Sequence, residues 1–231
     1  MTLPTLTLPK YHVTVPSTED TIEFRPFVVR EEKILMIALE SEEYTQICRA
    51  LKDVVNTCTF EKLDVENLSI FDLCYVFLNI RAKSVGEIVT PSMLCGGCKG
   101  VTPVEINLTD VEVQTNENHK DKIDLGDGVG IKMKYPTLSF DEKGLEPSDV
   151  SVKVVADCIE MIYTKDEVFN CKDFSPEELL QFIEDLQHKQ FENILEFFET
   201  MPKLEHTIKY TCKECGDENT VVLEGLTDFF L

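Results

Sequence analysis

Leu94-Cys95-Gly96-Gly97-Cys98-Lys99-Gly100 and Thr211-Cys212-Lys213-Glu214-Cys215-Gly216 are two versions of one turn, set far apart in the chain. Each offers a Cys-x-x-Cys pair followed closely by glycine. That spacing presents two thiolates from one tight knuckle, and two knuckles supply the four sulfurs of a tetrahedral Zn²⁺ site. The residues downstream also match. Pro103 to Asp110 and Thr220 to Asp228 both read as a strand closing on Leu-Thr-Asp. The repeat predicts a zinc-ribbon-like β unit assembled from two half-sites, with one structural Zn²⁺ shared by Cys95, Cys98, Cys212 and Cys215. Four thiolates fill the coordination sphere, whereas a catalytic zinc keeps an open position. Two half-filled sites, two disulfides, a redox Cys-x-x-Cys or plain core thiols remain alternative readings. The redox reading expects a single motif at a helix start, and neither knuckle has that setting. Disulfides expect an exported chain.

The other five cysteines are Cys48, Cys58, Cys74, Cys158 and Cys171. Cys48 and Cys74 lie in apolar, helix-like stretches and read as small core residues. An odd thiol total and no evident export signal in the Thr/Leu/Pro-rich start predict a reducing compartment. No run approaches the roughly 20 apolar residues that cross a bilayer. At 231 residues and 43% hydrophobic content the chain can bury a sizeable core, and we read residues 1–231 as a single compact unit. Its net charge of −21 disfavours nucleic acid and anionic membranes and suits a basic protein partner.

The overall class is α+β. Residues 11–29 alternate apolar and polar around Pro16-Ser17-Thr18-Glu19-Asp20, the signature of an N-terminal β-hairpin. Residues 30–85 turn helical in period and contribute helical-bundle elements. Ile34, Leu35, Ala38 and Leu39 share one face, as do Ile47, Ala50, Leu51, Val54 and Val55. Glu31 and Glu32 sit where a helix start favours acids. Ser69 opens a third helix, with Asp72 in a capping-like position and Arg81 and Lys83 in the last turn. Residues 86–135 hold the first knuckle, with strands expected at Glu87–Thr90, Val104–Leu108 and Gly130–Tyr135 and a polar loop over 114–128. Gly126-Asp127-Gly128-Val129-Gly130 lacks the phosphate-loop spacings and their lysine, and reads as a turn. Residues 150–202 are expected to be helical, including Val154–Tyr163. Ser175-Pro176-Glu177-Glu178 forms a strong capping box, opening a helix that runs to Met201. Its Phe191, Phe197 and Phe198 read as core. Residues 203–231 carry the second knuckle, a C-terminal strand and the apolar end Phe229-Phe230-Leu231.

None of the four histidines, His12, His119, His188 and His206, falls in a hydrolase spacing, and no nucleophile-elbow motif occurs. His206, six residues before Cys212, reads as a strand residue near the knuckle. The chain reads as a binding or assembly module and not an enzyme, with no small-molecule substrate expected.

Longer strings carry a resemblance. Pro16-Ser17-Thr18 with Ile22-Glu23-Phe24-Arg25-Pro26-Phe27-Val28-Val29-Arg30-Glu31-Glu32-Lys33-Ile34-Leu35 resembles the start of the T4-type phage baseplate family, hub assembly proteins of contractile tails. Asp72 to Leu78, Ile80 to Glu87, Phe197 to Leu204 and the closing Cys-x-x-Cys-Gly through Leu223-Glu224-Gly225-Leu226 to Phe229-Phe230 resemble it too. The similarity runs over nearly the whole chain. The first knuckle departs from the second in having Lys99 where the second has Gly216. The resemblance implies a phage protein at work in the host cytoplasm, and possession of other baseplate hub proteins as partners, while the central hub is built. It leaves open whether the protein is a transient assembly factor or chaperone, or a permanent structural subunit of the hub in the virion tail.

Overall fold

The computed structural model describes residues 6–138 and 147–224. They divide between two compact units, one made of residues up to Gln114 together with those from Lys203 onward, the other spanning Thr115–Pro202. The mixture of helices and small sheets is α+β.

In chain order the elements are β1 (Tyr11–Thr14), β2 (Thr21–Phe24), α1 (Val29–Glu40), α2 (Tyr44–Cys58), α3 (Ile70–Ser84), β3 (Ile88–Val89), β4 (Ser92–Leu94), β5 (Val101–Pro103), β6 (Ile106–Asn107), β7 (Glu112–Gln114), β8 (Lys122–Gly126), β9 (Val129–Met133), α4 (Pro147–Cys158), β10 (Ile159–Tyr163), β11 (Val168–Asn170), α5 (Pro176–Glu184), α6 (His188–Thr200), β12 (Lys203–Thr211) and β13 (Glu218–Glu224).

In the first unit, β1 and β2 form the hairpin that the alternation predicts, with Val13 opposite Ile22. Val13, Val15 and Phe24 turn inward. Helix α3 is the centre of this unit. Leu73, Val76, Leu78 and Ile80 are fully buried, and each large apolar side chain so placed contributes about 1.5–3 kcal/mol. Its start is capped as expected, Ser69 Oγ accepting from the Asp72 amide at 3.2 Å. Asp72 does more than the sequence suggested. Wholly buried, its carboxylate accepts from the Ser17 amide at 2.9 Å and bonds Ser69 Oγ, so it pins the hairpin turn to the helix. A second core joins Cys74, Leu78 and Ala82 of α3 to Ile106, Leu108, Val111, Leu204, Ile208 and Leu223. The knuckle-bearing strands are thereby seated on α3. Cys48 and Cys74 are buried core residues, and burial raises the Cys74 thiol to about 12.

Arg25, Arg30 and Lys83 have partners within the fold. Arg25 Nη2 lies 3.0 Å and Arg30 Nη2 3.1 Å from Glu31 Oε1, while Lys83 bonds Glu87.

The second unit is a four-stranded antiparallel sheet in the order β11-β10-β9-β8. Its core combines Ile123, Ile131, Met133 and Ile159 of the sheet with Val155, Ile183, Ile194 and Phe197 of the helices. Phe197 is buried and Phe191 and Phe198 pack against this core, as the helix pattern predicts. His119 is packed as well. It packs against the rings of Tyr135 and Phe197, which also stack on each other, with Nδ1 3.0 Å from Thr200 Oγ1.

Three expectations need correction. Residues 159–163 form a strand, not the end of a helix. Met161, Ile162 and Tyr163 pair on both sides and Ile159 pairs with Met133 of β9, and a short β-branched apolar run is ambiguous in period. Lys122–Gly126 is a strand within the stretch expected to be loop, and Asp127-Gly128, with φ of 52° and 79°, turns it into β9. The long helix after Ser175 is two helices. Its capping box is as predicted, Ser175 N donating to Glu178 Oε2 at 2.8 Å. A second box, Gln187 N to Gln190 Oε1 at 2.8 Å, restarts the helix after Asp185. The Leu-Thr-Asp ending of the second repeat, the apolar C-terminus and most of the Leu138–Pro147 connection lie outside the described residues.

Candidate metal centre

The first knuckle caps the hairpin of β4 and β5, and the second caps the hairpin of β12 and β13. The strand expected at Val104–Leu108 is shorter and displaced. Val101–Pro103 makes the knuckle's ladder, and Ile106–Asn107 pairs with β3 instead. Both knuckles have the same backbone. The amide of Cys95 donates to Gly100 O at 2.9 Å, and that of Cys212 to Asp217 O at 2.9 Å. The amide of Lys99 donates to Cys95 O at 3.1 Å, and that of Gly216 to Cys212 O at 3.0 Å.

This pattern requires a left-handed residue one place after the second cysteine. Gly216 has φ 78° and Lys99 has φ 63°, so Lys99 itself adopts the glycine conformation and Gly100 does not substitute for it. A non-glycine residue there costs about 1–2 kcal/mol, partly offset by the greater unfolded-chain entropy of glycine. Lys99→Gly is therefore expected to raise unfolding stability by up to about 1 kcal/mol, read as a higher denaturant midpoint at unchanged slope.

The fold brings the two pairs together. Cys95 Sγ lies 3.7 Å from Cys215 Sγ, and Cys98 Sγ 3.6 Å from Cys212 Sγ. All four sulfurs fall within 4.8 Å of one another. Sulfurs about 2.3 Å from a tetrahedral Zn²⁺ are separated by about 3.8 Å, so the donor set fits a metal of that size. Cys95 and Cys212 are buried, while Cys98 and Cys215 lie toward solvent.

The surroundings favour thiolate. The backbone amides of Cys98 and Gly97 hold the Cys95 thiol down at about 6, and the amides of Cys215 and Glu214 lower that of Cys212. The amides of Gly100 and Asp217 favour the Cys98 and Cys215 thiolates. Nevertheless burial and the neighbouring sulfurs, Cys212 beside Cys98 and Cys98 beside Cys215, push both of these thiols up. Four sulfurs this close divide into two that ionise readily and two that resist. A divalent cation at the centre would offset the repulsion among all four, since metal binding takes the thiolate form.

Several supporting residues were not evident from the sequence. Asn219 Nδ2 donates to Cys95 Sγ at 3.5 Å, and its Oδ1 accepts from Gly96 N at 3.0 Å, so one side chain on β13 grips the opposite knuckle. Lys213 N donates to Thr102 Oγ1 at 3.2 Å, and Tyr210 Oη to Leu94 O at 2.9 Å. Burial, then the charges of Cys95 and Cys212, raise the Tyr210 phenol, which keeps it a donor. A Cβ on Gly100 would lie 2.5 Å from Glu214 Oε2 and 3.1 Å from Cys98 Sγ, so a larger residue there requires the exposed Glu214 side chain to swing aside and the Cys98 sulfur to give by a few tenths of an ångström. The sequence signal was slight: a lone Asn a few residues past the second pair. His206 sits on β12 opposite Leu223.

Helices and small sheets with four convergent cysteine sulfurs define an α+β protein with a candidate metal site. The chain belongs to the family described as T4 bacteriophage base plate protein, whose profile matches residues 8–231. It is 27% identical over 213 residues to the baseplate hub assembly protein gp26 of Enterobacteria phage T4, covering 90% of this chain and 92% of that protein. No solved structure matches it. Among the described residues, no helix is long and apolar enough to cross a membrane.

Proposed function

We propose that this chain acts in the assembly of the central baseplate hub of a contractile phage tail, binding other hub proteins in the host cytoplasm. The observation that carries this reading is family membership across nearly the full chain, together with a relative that bears the name hub assembly protein over 90% of it. The charge of −21 suits a soluble factor that shields a basic surface until docking. The protein acts by binding and not by catalysis, and its four cysteines hold one structural Zn²⁺ in a zinc-ribbon-like unit. The sulfur spacing and the amides aimed at Cys95 and Cys212 support a thiolate-ligated metal, and soft sulfur donors in a tetrahedron favour zinc. When bound, the ion supplies structural cross-linking, for the four thiols leave no open position for substrate.

The reading is tested by two measurements. An amber allele is expected to block hub formation, and normal hubs in its absence would overturn the assembly role. Quantitative mass spectrometry of purified particles against infected-cell lysate then decides the mode of action. Abundance in lysate with absence from particles marks a transient assembly factor. A fixed copy number per tail replaces that with a structural hub subunit.

A further inference from the structure

From Ile34 to Leu39 helix α1 is six consecutive apolar residues, which cover every side of that stretch, yet the helix is buried along one narrow stripe. Glu31, Leu35 and Ala38 face the fold. Val29 remains 76% exposed, Met36 55%, Ile37 54% and Ile34 42%. Helices that are hydrophobic all round are ordinarily buried all round, and a contiguous exposed apolar surface of this kind marks an interaction site. The surface is also shaped. An open groove of about 440 Å³ runs between α1 and α2. Its floor is Ile34, Ile37, Ala38 and Ala50, and Glu43 and Asp53 stand on its rim beside Arg49.

Charge indicates the occupant. Glu32, Glu40, Glu42, Glu43 and Asp53 are exposed on these two helices and the turn joining them, and outnumber the exposed cations Lys33 and Arg49. Arg30 is engaged with Glu31. A second copy would bring another −21 charge against the same face, which like-charge repulsion disfavours. We propose that the α1–α2 face is the docking surface for a basic amphipathic helix of another baseplate protein, its apolar side chains seated over Ile34 and Ile37 and its lysines or arginines meeting the acidic rim. This rests on the hub-assembly reading. It is the helix-in-groove mode, in which residues one and two turns apart anchor the ligand.

The test uses the full chain and two synthetic amphipathic helical peptides with the same leucine stripe, one flanked by lysines and one by glutamates. The lysine peptide is expected to bind, with amide chemical-shift changes concentrated on α1 and α2 and affinity falling as salt rises. Met36→Glu combined with Ile37→Glu is expected to weaken that binding at least about tenfold, without lowering the melting temperature, because both side chains already face solvent. No binding, equal binding of the glutamate peptide or shifts confined to other elements would overturn the proposal. So would self-association of the wild type that the double variant abolishes, since the occupant would then be a second copy. Infection separates this from the broader reading. If the amber allele blocks hub formation while the folded double variant restores it fully, the docking face is wrong and the assembly role stands. If the amber allele is harmless, the assembly role itself fails, whatever the peptides do.

Discussion

Cys212→Ser is expected to yield a chain that holds no zinc and melts at least ten degrees below the wild type, on the order-of-magnitude scale of a lost structural metal. Structural Zn²⁺ in small sulfur sites contributes about 10 kcal/mol or more, comparable to the entire stability of a domain. The sulfur removed lies 3.6 Å from Cys98 Sγ and is one of the two buried members of the cluster. Its loss also uncouples β12 and β13 from the first knuckle, because the cluster joins positions far apart in sequence and long-loop closures restrict the unfolded chain most. Stripping zinc from the wild type with a chelator is expected to produce the same drop. Cys74→Ala provides the contrast. It removes an equally buried sulfur from a helix core, at roughly 1–2 kcal/mol, the scale for one buried heavy atom. If Cys212→Ser kept full thermal stability and one zinc per chain, the four-sulfur staple would be wrong.

Glu31→Gln is expected to cost about 3 kcal/mol at neutral pH, and the cost is expected to vanish in acid. Glu31 is 3% exposed in its side chain. Burial alone would raise its carboxyl. The Arg25 guanidinium, the Val28 amide at 2.8 Å and the Arg30 guanidinium outweigh that and hold it at about 2, below its ordinary 4.5. A carboxylate depressed on folding contributes stability that is fully present above about 4.5 and is lost as pH falls toward about 2. A shift of that size corresponds to about 3 kcal/mol. Urea unfolding of both proteins between pH 7 and pH 2 reads this directly. The two stability curves are expected to lie apart at neutral pH and converge at the acid end. A constant separation down to pH 2 would mean that Glu31 acts through shape and not through its charge.

The parts of this fold that could be read from sequence were those written in local chemistry. The two knuckles, the Ser69 and Ser175 caps and the 11–24 hairpin each depend on a few adjacent residues whose turn or capping preferences agree with the fold. What escaped was set by tertiary partners. Ile159–Tyr163 would serve as helix or strand, and β9 and β11 on either side decide for strand. Lys122–Gly126 has the composition of a loop and becomes a strand because Ile123 and Leu125 find a core. The roles of Asp72 and Asn219 depend on residues far away in sequence, Ser17 and Cys95, so no local pattern announced them. Glu31 was legible as a helix-start acid but not as a buried ion pair, since Arg25 reaches it from outside the helix. At the candidate metal centre the four cysteines that converge were legible, whereas the residues that support them were not.

Lys203 pairs directly with Gln114, so the whole segment Thr115–Pro202 leaves and re-enters the first unit at neighbouring points. This has a consequence for synthesis. The ribosome releases Cys95 and Cys98 well before Cys212 and Cys215 exist. At about 5–20 residues per second, the first pair waits roughly 6–23 seconds for its complement. During that interval the nascent chain carries a two-thiol pair without its complement, open to oxidation or to a competing soft ion. The second unit is complete in sequence before the first can close. Closure of the first unit thus waits on translation of the segment from Lys203 onward.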